Sequence, residues 1–226
     1  RDSAMWRRLL SCVALCATVP VQAQQMIVNV EERSDPWIVN GCRIQPKADC
    51  PGADLRFADL ANADLTAANL AGAKLARADL RHANLTGADL TGANMDGARM
   101  STVFMGGADL TGASLHGTDL SFVRAAKARF DRSDMTAATL EKALLKGATF
   151  HGTRFINTDL MEAKFYEANL EGAVMDGVKL RFAVFQDAWM KDCTGCPVNW
   201  QTGDTVWQTE EKEFISSQIR PLLANP

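Results

Sequence analysis

The sequence has little imbalance of charge, few aromatic residues and few histidines. Its 226 residues include 24 basic and 27 acidic side chains, which excludes the strongly basic surface of a nucleic-acid-binding domain. Aromatic residues make up 7% of the chain and histidine occurs three times, and no phosphate-binding glycine loop or nucleophile motif is present. Hydrophobic residues (47%) and charged residues (23%) are at ordinary globular levels, which excludes wholesale disorder. We therefore expect a folded protein that is not an enzyme and holds no cofactor or metal.

Long hydrophobic runs are also scarce, and the clearest one lies near the start of the chain. Leu9–Val21 carries no charge, follows Arg7 and Arg8, and is followed two residues later by Ala23. A basic start, a short apolar run and a small residue at the end are typical of a secretory signal peptide, predicted here over residues 1–23. The run is too short to span a bilayer comfortably. A buried N-terminal helix and a lipoprotein anchor are the alternatives. We expect a periplasmic or secreted protein with no stable membrane insertion after cleavage.

Cysteine usage agrees with export. Two of the six cysteines would leave with the signal peptide, and an even number in an exported chain favours disulfide bonds. The four that remain are Cys42, Cys50, Cys193 and Cys196. The Cys193-x-x-Cys196 spacing also occurs in thiol–disulfide oxidoreductases and in half of a zinc site, so these two readings stay open beside a structural disulfide.

A five-residue period runs from Ala53 to Asp192 without a change of register and gives 28 blocks. We number the positions of each block 1 to 5, with Ala53 at position 1. Position 3 holds Leu 16 times, Met six times, Phe five times and Ala once, while position 1 holds Ala 21 times. Position 2 is mostly polar, and position 5 holds 11 of the 16 glycines. One large and one small apolar residue therefore recur as a pair, separated by polar residues.

Neither a helix nor a flat strand can use this period. A helix turns by about 100° per residue, so a five-residue period would make an apolar stripe drift around the cylinder. An odd period on a strand would send the large residue to opposite faces in successive blocks. A chain that turns a corner in every block closes a square coil after four blocks and keeps every large side chain inside. This geometry predicts about seven coils, with Leu60, Leu80 and Met100 lying beneath one another.

The blocks from Ala53-Asp54-Leu55 onward resemble the pentapeptide-repeat family, whose repeat is A-(D/N)-L-x-x. The resemblance implies an all-β fold, the right-handed quadrilateral β-helix, in an exported bacterial member. Ala125 is the one small residue at position 3, and we expect a local irregularity or cavity at residues 123–127. Five apolar residues depart from the polar pattern at position 2: Phe104, Leu144, Val174, Val184 and Trp189.

The segments that flank the repeat are expected to cap its open ends. Residues 24–52 form the predicted N-terminal cap, with a strand at Ile27–Val30, an apolar plug at Trp37–Val39 and a disulfide between Cys42 and Cys50. Residues 193–226 form the predicted C-terminal cap, with a helix from about Thr209 to Arg220. Its apolar face covers the last coil or, as the family resemblance makes plausible, forms a homodimer.

The polar residues indicate a solvated surface rather than an active site. His82, His116 and His151 fall at outward positions with no evident carboxylate or serine partner. Stacked carboxylates such as Asp59 and Asp79 follow from the repeat itself, which needs polar residues there. A four-cysteine zinc site is excluded because the repeat separates the two cysteine pairs by roughly 30 Å. The short basic patch of Arg124, Lys127, Arg129 and Arg132 is diluted by nearby acids.

We therefore expect a non-enzymatic, exported scaffold or protein-binding surface with an unidentified protein partner. The best candidates for a contact patch are Phe104, Leu144, Val184 and Trp189. The first three fall on one wall, two coils apart on alternate coils, and scattered surface hydrophobic residues are the alternative interpretation. The first alternative is a DNA mimic, because some members of the family bind DNA gyrase and protect it from quinolones. Mimicry needs a strongly negative wall, whereas residues 53–192 carry 18 acidic and 16 basic side chains. The second alternative is thiol–disulfide activity through Cys193 and Cys196.

Overall fold

The described part of the chain begins with a β-hairpin that sequence analysis missed. The computed structural model describes residues 36–196. Strand β1 (Ile38–Val39) pairs antiparallel with β2 (Cys42–Arg43). Asn40 and Gly41 join them with φ of 47° and 82°. Two positive φ values in a two-residue loop define a type I′ turn, for which Asn-Gly is the favoured sequence. The hairpin therefore follows from a dipeptide signal that is visible in the sequence.

The residues predicted to form an apolar plug belong to this hairpin and its approach. Trp37 and Val39 pack against the hydrophobic core, whereas Ile38 is 51% exposed because it points the other way on β1. The Asn40 amide donates a hydrogen bond to the Asp54 carbonyl (2.7 Å) and ties the turn to the repeat.

Stacked coils of four blocks each form the rest of the described chain. Each position-2 residue pairs in parallel with its equivalent in the next coil, from Asp49↔Asn69 to Val174↔Thr194. Among the described residues, one pair of coils has longer strands, β3 (Arg154–Ile156) and β4 (Val174–Asp176), which are parallel. The first pairing also shows that residues 48–52 act as a further block, with Cys50 at position 3.

The core is a column of position-3 side chains. Leu60, Leu80 and Met100 are fully buried, and the pairings Asp59↔Asp79 and Asp79↔Arg99 place them one coil apart. The predicted alignment is therefore confirmed. The small residues at position 1 are also buried through most of the repeat, as walls that approach closely require.

Positions 4 and 5 form a tight turn at every corner. The Ala58 N–H donates to the Leu55 carbonyl (3.2 Å), and the same bond recurs in later blocks. The residue at position 5 has positive φ in every block, which explains why glycine is concentrated there. The non-glycine residues at this position accept the same conformation, which costs L-residues of order 1 kcal/mol each. The corner therefore imposes positive φ at position 5 even on residues that disfavour this conformation.

Position 2 carries the side chain that completes the turn. Within residues 53–192, every Asp and Asn at this position accepts a hydrogen bond from the position-4 N–H, as Asp64 does from Thr66 at 3.1 Å. This donor would otherwise lack a partner in the ladder. The Asp/Asn preference of the repeat is thus a local backbone requirement.

The ladder continues past Ala125 without a break. The Ala125 N–H donates to the Leu144 carbonyl (2.9 Å), and the Lys127 N–H donates to the Lys146 carbonyl (2.9 Å). The backbone at residues 123–127 is therefore regular, and the cavity that was expected as the other outcome stays a prediction. Large residues occupy the core nearby. The Phe130 and Phe150 rings stack with centroids 5.1 Å apart.

Both predicted cysteine pairs lie within disulfide reach. The Cα atoms of Cys42 and Cys50 are 5.6 Å apart, and those of Cys193 and Cys196 are 5.8 Å apart. Within residues 36–196, no helix is long and apolar enough to cross a bilayer. The predicted signal peptide, the strand at Ile27–Val30 and the C-terminal helix lie outside the described residues.

Candidate protein-binding surface

The square coil gives the molecule four outer walls. We name each wall by its first position-2 residue in the repeat and include the equivalent residue of every later coil. The first wall starts at Asp54, the second at Asp59, the third at Asp64 and the fourth at Asn69. Adjacent members of a wall are paired by backbone bridges, so they are about 4.8 Å apart.

Three of the four predicted contact residues lie in one column of the third wall. Phe104 and Leu144 are 43% and 48% exposed, and Val184 is partly buried. Bridges through Arg124 and Lys164 connect the three in order. We call Phe104, Arg124, Leu144, Lys164 and Val184 the third-wall column. Trp189 is 37% exposed but lies on the fourth wall, so the structure does not join it to the others.

Sequence analysis missed the two cations of this column. Arg124 and Lys164 alternate with the apolar residues, one coil apart. The Arg124 guanidinium carbon lies 5.1 Å from the centroid of the Phe104 ring, a cation–π distance. Taking the equivalent residue of every coil, instead of every second coil, would have found the alternation.

Most cations at position 2 of the other walls have an acidic neighbour, unlike Arg124 and Lys164. Four of them pair with an aspartate one coil earlier in the same wall. These pairs are Arg99–Asp79 (3.3 Å), Arg129–Asp109 (3.2 Å), Arg154–Asp134 (3.1 Å) and Lys179–Asp159 (3.2 Å). Arg124 and Lys164 follow Phe104 and Leu144 instead, and within residues 36–196 neither forms an ion pair. The third-wall column therefore presents uncompensated positive charge beside exposed apolar groups.

A second apolar–cationic pair lies at the corner just before the third wall. Phe122 and Phe182 are 48% and 46% exposed at position 5, each two residues before a member of the third-wall column. The Lys142 Nζ atom lies 5.5 Å from the centroid of the Phe122 ring. A hydrogen bond to Glu141 raises the pKa of Lys142, and Glu162 lies 3.5 Å away. This corner widens the apolar area but is electrically neutralised.

Asp54 and Asp79, on the first and second walls, are ion-paired with arginines rather than placed as a reactive carboxylate pair. Hydrogen bonds from Arg56 lower the pKa of Asp54 to about 2. The bidentate hydrogen bond from Arg81 lowers the pKa of Asp79, and Arg99 adds to the effect. A carboxylate held ionised in this way is a poor general acid at neutral pH.

The expectation that the histidines have no carboxylate partners is wrong. His116 lies between Asp96 (3.5 Å) and Asp134 (3.1 Å), and His151 lies 3.2 Å from Asp131. These partners are about one coil away along the chain, so they become neighbours only when the coils stack. His82 contacts the hydroxyl of Thr102 (2.6 Å).

Asp131 and Asp134, beside His151 and His116, have lowered pKa values despite partial burial. Burial raises the pKa of Asp134, but hydrogen bonds from Thr136 and His116 outweigh it and leave this pKa lowered. Burial likewise raises the pKa of Asp131, and hydrogen bonds led by the backbone N–H of His151 again leave it lowered. Within the described residues, no group of three or more His, Cys, Asp or Glu side chains could hold a metal ion.

The predicted basic patch is divided by the geometry. Arg124 lies on the third wall and Arg129 on the fourth, where Asp109 neutralises it. Lys127 and Arg132 occupy position 5 at two different corners, with positive φ. The four residues therefore do not form one anion site.

Comparison with known families identifies the class of protein. A model of pentapeptide repeats matches in eight copies, over residues 48–87, 63–101, 88–130, 128–165 and 158–194. The chain therefore belongs to the pentapeptide-repeat family, whose fold is the right-handed quadrilateral β-helix. No curated protein matches the chain.

Several solved structures of pentapeptide-repeat proteins are similar to this chain. HetL from Nostoc, described as involved in heterocyst differentiation regulation, is 29% identical over 65% of this chain and 78% of its own, with a TM-score of 0.29. Rfr23 from Cyanothece is 23% identical over 49% and 86%, with a TM-score of 0.35. Full-length QnrB1, described as a plasmid-mediated fluoroquinolone resistance protein, is 13% identical over 76% and 97%, with a TM-score of 0.41.

Proposed function

We propose that this protein is a non-enzymatic, exported β-helix that acts as a scaffold with a protein-binding surface on its third wall. The observation that carries the proposal is the third-wall column, where exposed apolar side chains alternate with cations that have no ion-pair partner in the described residues. Aromatic and arginine side chains are enriched in protein interfaces, whose central part is more apolar than the rest of the protein surface.

The chemistry of the remaining walls supports a binding role over a catalytic one. Asp79 is held by two arginines, and His151 lies between Asp131 and Glu171. The hydroxyl–imidazole contacts in the part of the chain that the structure describes, Thr102–His82 (2.6 Å) and Ser114–His116 (3.2 Å), are both solvent-exposed surface contacts. A solenoid of short blocks also forms flat walls rather than the concave sites that enzymes use.

Export rests on the signal-peptide pattern of residues 1–23 and on the cysteines. The separation of the Cα atoms in both pairs suits disulfides, which persist in the periplasm and outside the cell. Detection of the protein in the periplasmic or culture fraction, with its N-terminus at residue 24, tests this part of the proposal.

The charge distribution does not favour a DNA mimic. Such a protein needs a continuous negative wall. On the second wall, Asp79 and Asp159 are each followed by a paired cation, and the third wall carries an excess of positive charge in its later coils. A supercoiling assay with purified gyrase should therefore show neither inhibition nor quinolone protection at micromolar protein.

The alternative of thiol–disulfide activity has its own test. Insulin reduction should be no faster with the protein than with its Cys193→Ser variant.

Site-specific crosslinking tests the binding proposal directly. A photo-crosslinking residue at position 144 is expected to capture a protein partner in cells of the source organism, because it replaces the exposed Leu144 in the middle of the column. The same residue at position 139 is the matched control, since Thr139 occupies the equivalent position on the second wall of the same coil. Equal capture at both positions, or none at 144, would contradict the assignment of the third wall.

A further inference from the structure

The third-wall column has a regular spacing that constrains its partner. Neighbouring members are one coil apart, so Arg124 and Lys164 are separated by two coils, or about 9.6 Å. Phe104, Leu144 and Val184 repeat with the same spacing and are offset by one coil. The column therefore offers one cation and one apolar group in every two coils.

The charges of the column call for an anionic partner. Four cations at the same block position on other walls are neutralised by an aspartate one coil earlier. In the column the corresponding positions are Phe104 and Leu144, which cannot neutralise a charge. An acidic group from outside can supply the missing partner, and the neighbouring apolar side chains would exclude water from the resulting ion pair.

The spacing matches one common extended conformation. A polyproline II helix has three residues per turn and rises about 3.1 Å per residue, so every third side chain recurs after about 9.3 Å. A β-strand repeats on one face after about 6.8 Å, which fits the column less well. An acidic residue at every third position of a polyproline II segment would meet Arg124 and Lys164 in turn.

We propose that the third-wall column binds an extended acidic segment of a partner protein, with a carboxylate at every third residue and apolar residues between. The inference rests on the proposed binding function and specifies its partner. Recognition combines ion pairs at Arg124 and Lys164 with apolar contacts at Phe104, Leu144 and Val184. A polyproline II segment is largely preformed, so it loses little entropy on docking.

The surroundings of the column favour a narrow peptide over an anionic membrane. Glu162 and Glu167 occupy the corners on either side of Lys164 in the same coil, and both are partly or fully exposed. Each pairs with a lysine of the coil before, Lys142 at 3.5 Å and Lys146 at 3.0 Å. A lipid surface would meet these carboxylates together with the cations, whereas one extended chain lies along the column between them.

Fluorescence anisotropy with a labelled (Glu-Leu-Pro)5 peptide tests the proposal on the full-length protein. We expect saturable binding that the double variant R124E/K164E weakens at least about tenfold, because two attractive contacts become repulsive. The same variant is expected to bind (Lys-Leu-Pro)5, which the parent protein does not bind. The double variant R99E/K179E makes the same change of charge on the second wall and should bind (Glu-Leu-Pro)5 as the parent does. Thermal melts establish that the variants are folded.

Three results would overturn the inference. One is (Glu-Leu-Pro)5 binding that R124E/K164E leaves unchanged, and another is absence of (Glu-Leu-Pro)5 binding by the parent. The third is binding to vesicles of phosphatidylcholine and phosphatidylglycerol (3:1) that R124E/K164E abolishes while neither peptide binds, which would assign the column to a membrane. If crosslinking from position 144 still captures a protein in any of these cases, the proposed function stands and only the acidic extended partner is rejected.

Discussion

Residues 53–112 and residues 113–192 share one backbone repeat but use its second position differently. Nine of 12 blocks in the first region have Asp or Asn there, against four of 16 in the second. Each of these residues accepts the position-4 N–H of its own block, as Asn84 does from Thr86 at 3.1 Å. The later coils give up this bond at most blocks and place ion pairs and apolar groups there instead. The comparison shows that the ion pairs and exposed apolar groups occur mainly at blocks whose position-2 residue is not Asp or Asn.

The cores of the two regions differ as well. All five phenylalanines at position 3 lie in residues 113–192, and they are buried: Phe130, Phe150, Phe155, Phe165 and Phe185. The Phe165 and Phe185 rings stack with centroids 4.9 Å apart. The first region fills the same positions with Leu and Met. Aromatic stacking thus supports the coils that carry the third-wall column.

The largest expected effect comes from the aromatic core. Phe150→Ala should lower the free energy of unfolding by about 3–5 kcal/mol, because it removes the ring that contacts three others. Its centroid lies 5.1 Å from Phe130, 5.5 Å from Phe155 and 5.4 Å from Phe165. Leu90→Ala, at the equivalent position of the first region, is the matched comparison and should cost less. Equal losses in urea denaturation would contradict a special role for the aromatic stack.

The next effect tests the segment just before the first region. Cys42→Ser with Cys50→Ser should cost about 2–3 kcal/mol, because the loop that this pair closes is short. Reduction with dithiothreitol should lower the melting temperature of the parent protein and leave that of the variant less affected. Thiol titration that finds four reactive cysteines in the mature, unreduced protein would contradict the pairing.

A smaller effect measures the turn hydrogen bond that is common in the first region and rare in the second. Asp64→Ala should destabilise by about 1 kcal/mol, because the Thr66 N–H loses the side-chain oxygen 3.1 Å away. Asp64→Asn keeps an acceptor and should restore most of the loss. If both variants melt alike, the bond does not explain the Asp/Asn preference.

The reverse change sharpens the same comparison in the second region. Lys164→Asn introduces the acceptor that most early blocks have, and it should stabilise the protein by up to about 0.5 kcal/mol while weakening (Glu-Leu-Pro)5 binding. If thermal melting shows unchanged or lower stability, the absence of Asp or Asn at position 2 in the later coils does not reduce the stability of the protein.

The fold could be predicted from the sequence because its period is incompatible with a helix or a flat strand. The same arithmetic placed Leu60, Leu80 and Met100 in one column. The Asn40-Gly41 turn could also have been found from its dipeptide. At Ala125 the backbone stays regular because the ladder depends on position and a small side chain does not interrupt it, while the cavity expected there stays a prediction.

The candidate site was only half visible in the sequence. Phe104, Leu144 and Val184 stood out as departures from the repeat, but Arg124 and Lys164 are ordinary polar residues at their positions. Their significance depends on what lies one coil earlier, which only the stacking of the coils defines. The carboxylate partners of His116 and His151 were missed for the same reason.

The smallest expected effect depends on pH and tests the ion pairs that the third-wall column lacks. Because Arg81 and Arg99 lower the pKa of Asp79 in the folded protein, this carboxylate stabilises the fold above its unfolded pKa of about 3.9. The contribution is lost as the pH falls through the lower pKa of the folded state. Asp79→Asn should therefore cost about 0.3 kcal/mol at pH 7, and the difference from the parent should shrink below pH 4. Melting temperatures between pH 2.5 and 7 provide the measurement. In an Arg81→Gln background the same substitution should have a smaller effect at pH 7, and a difference that is as large at pH 2.5 as at pH 7 would contradict the ion-pair explanation.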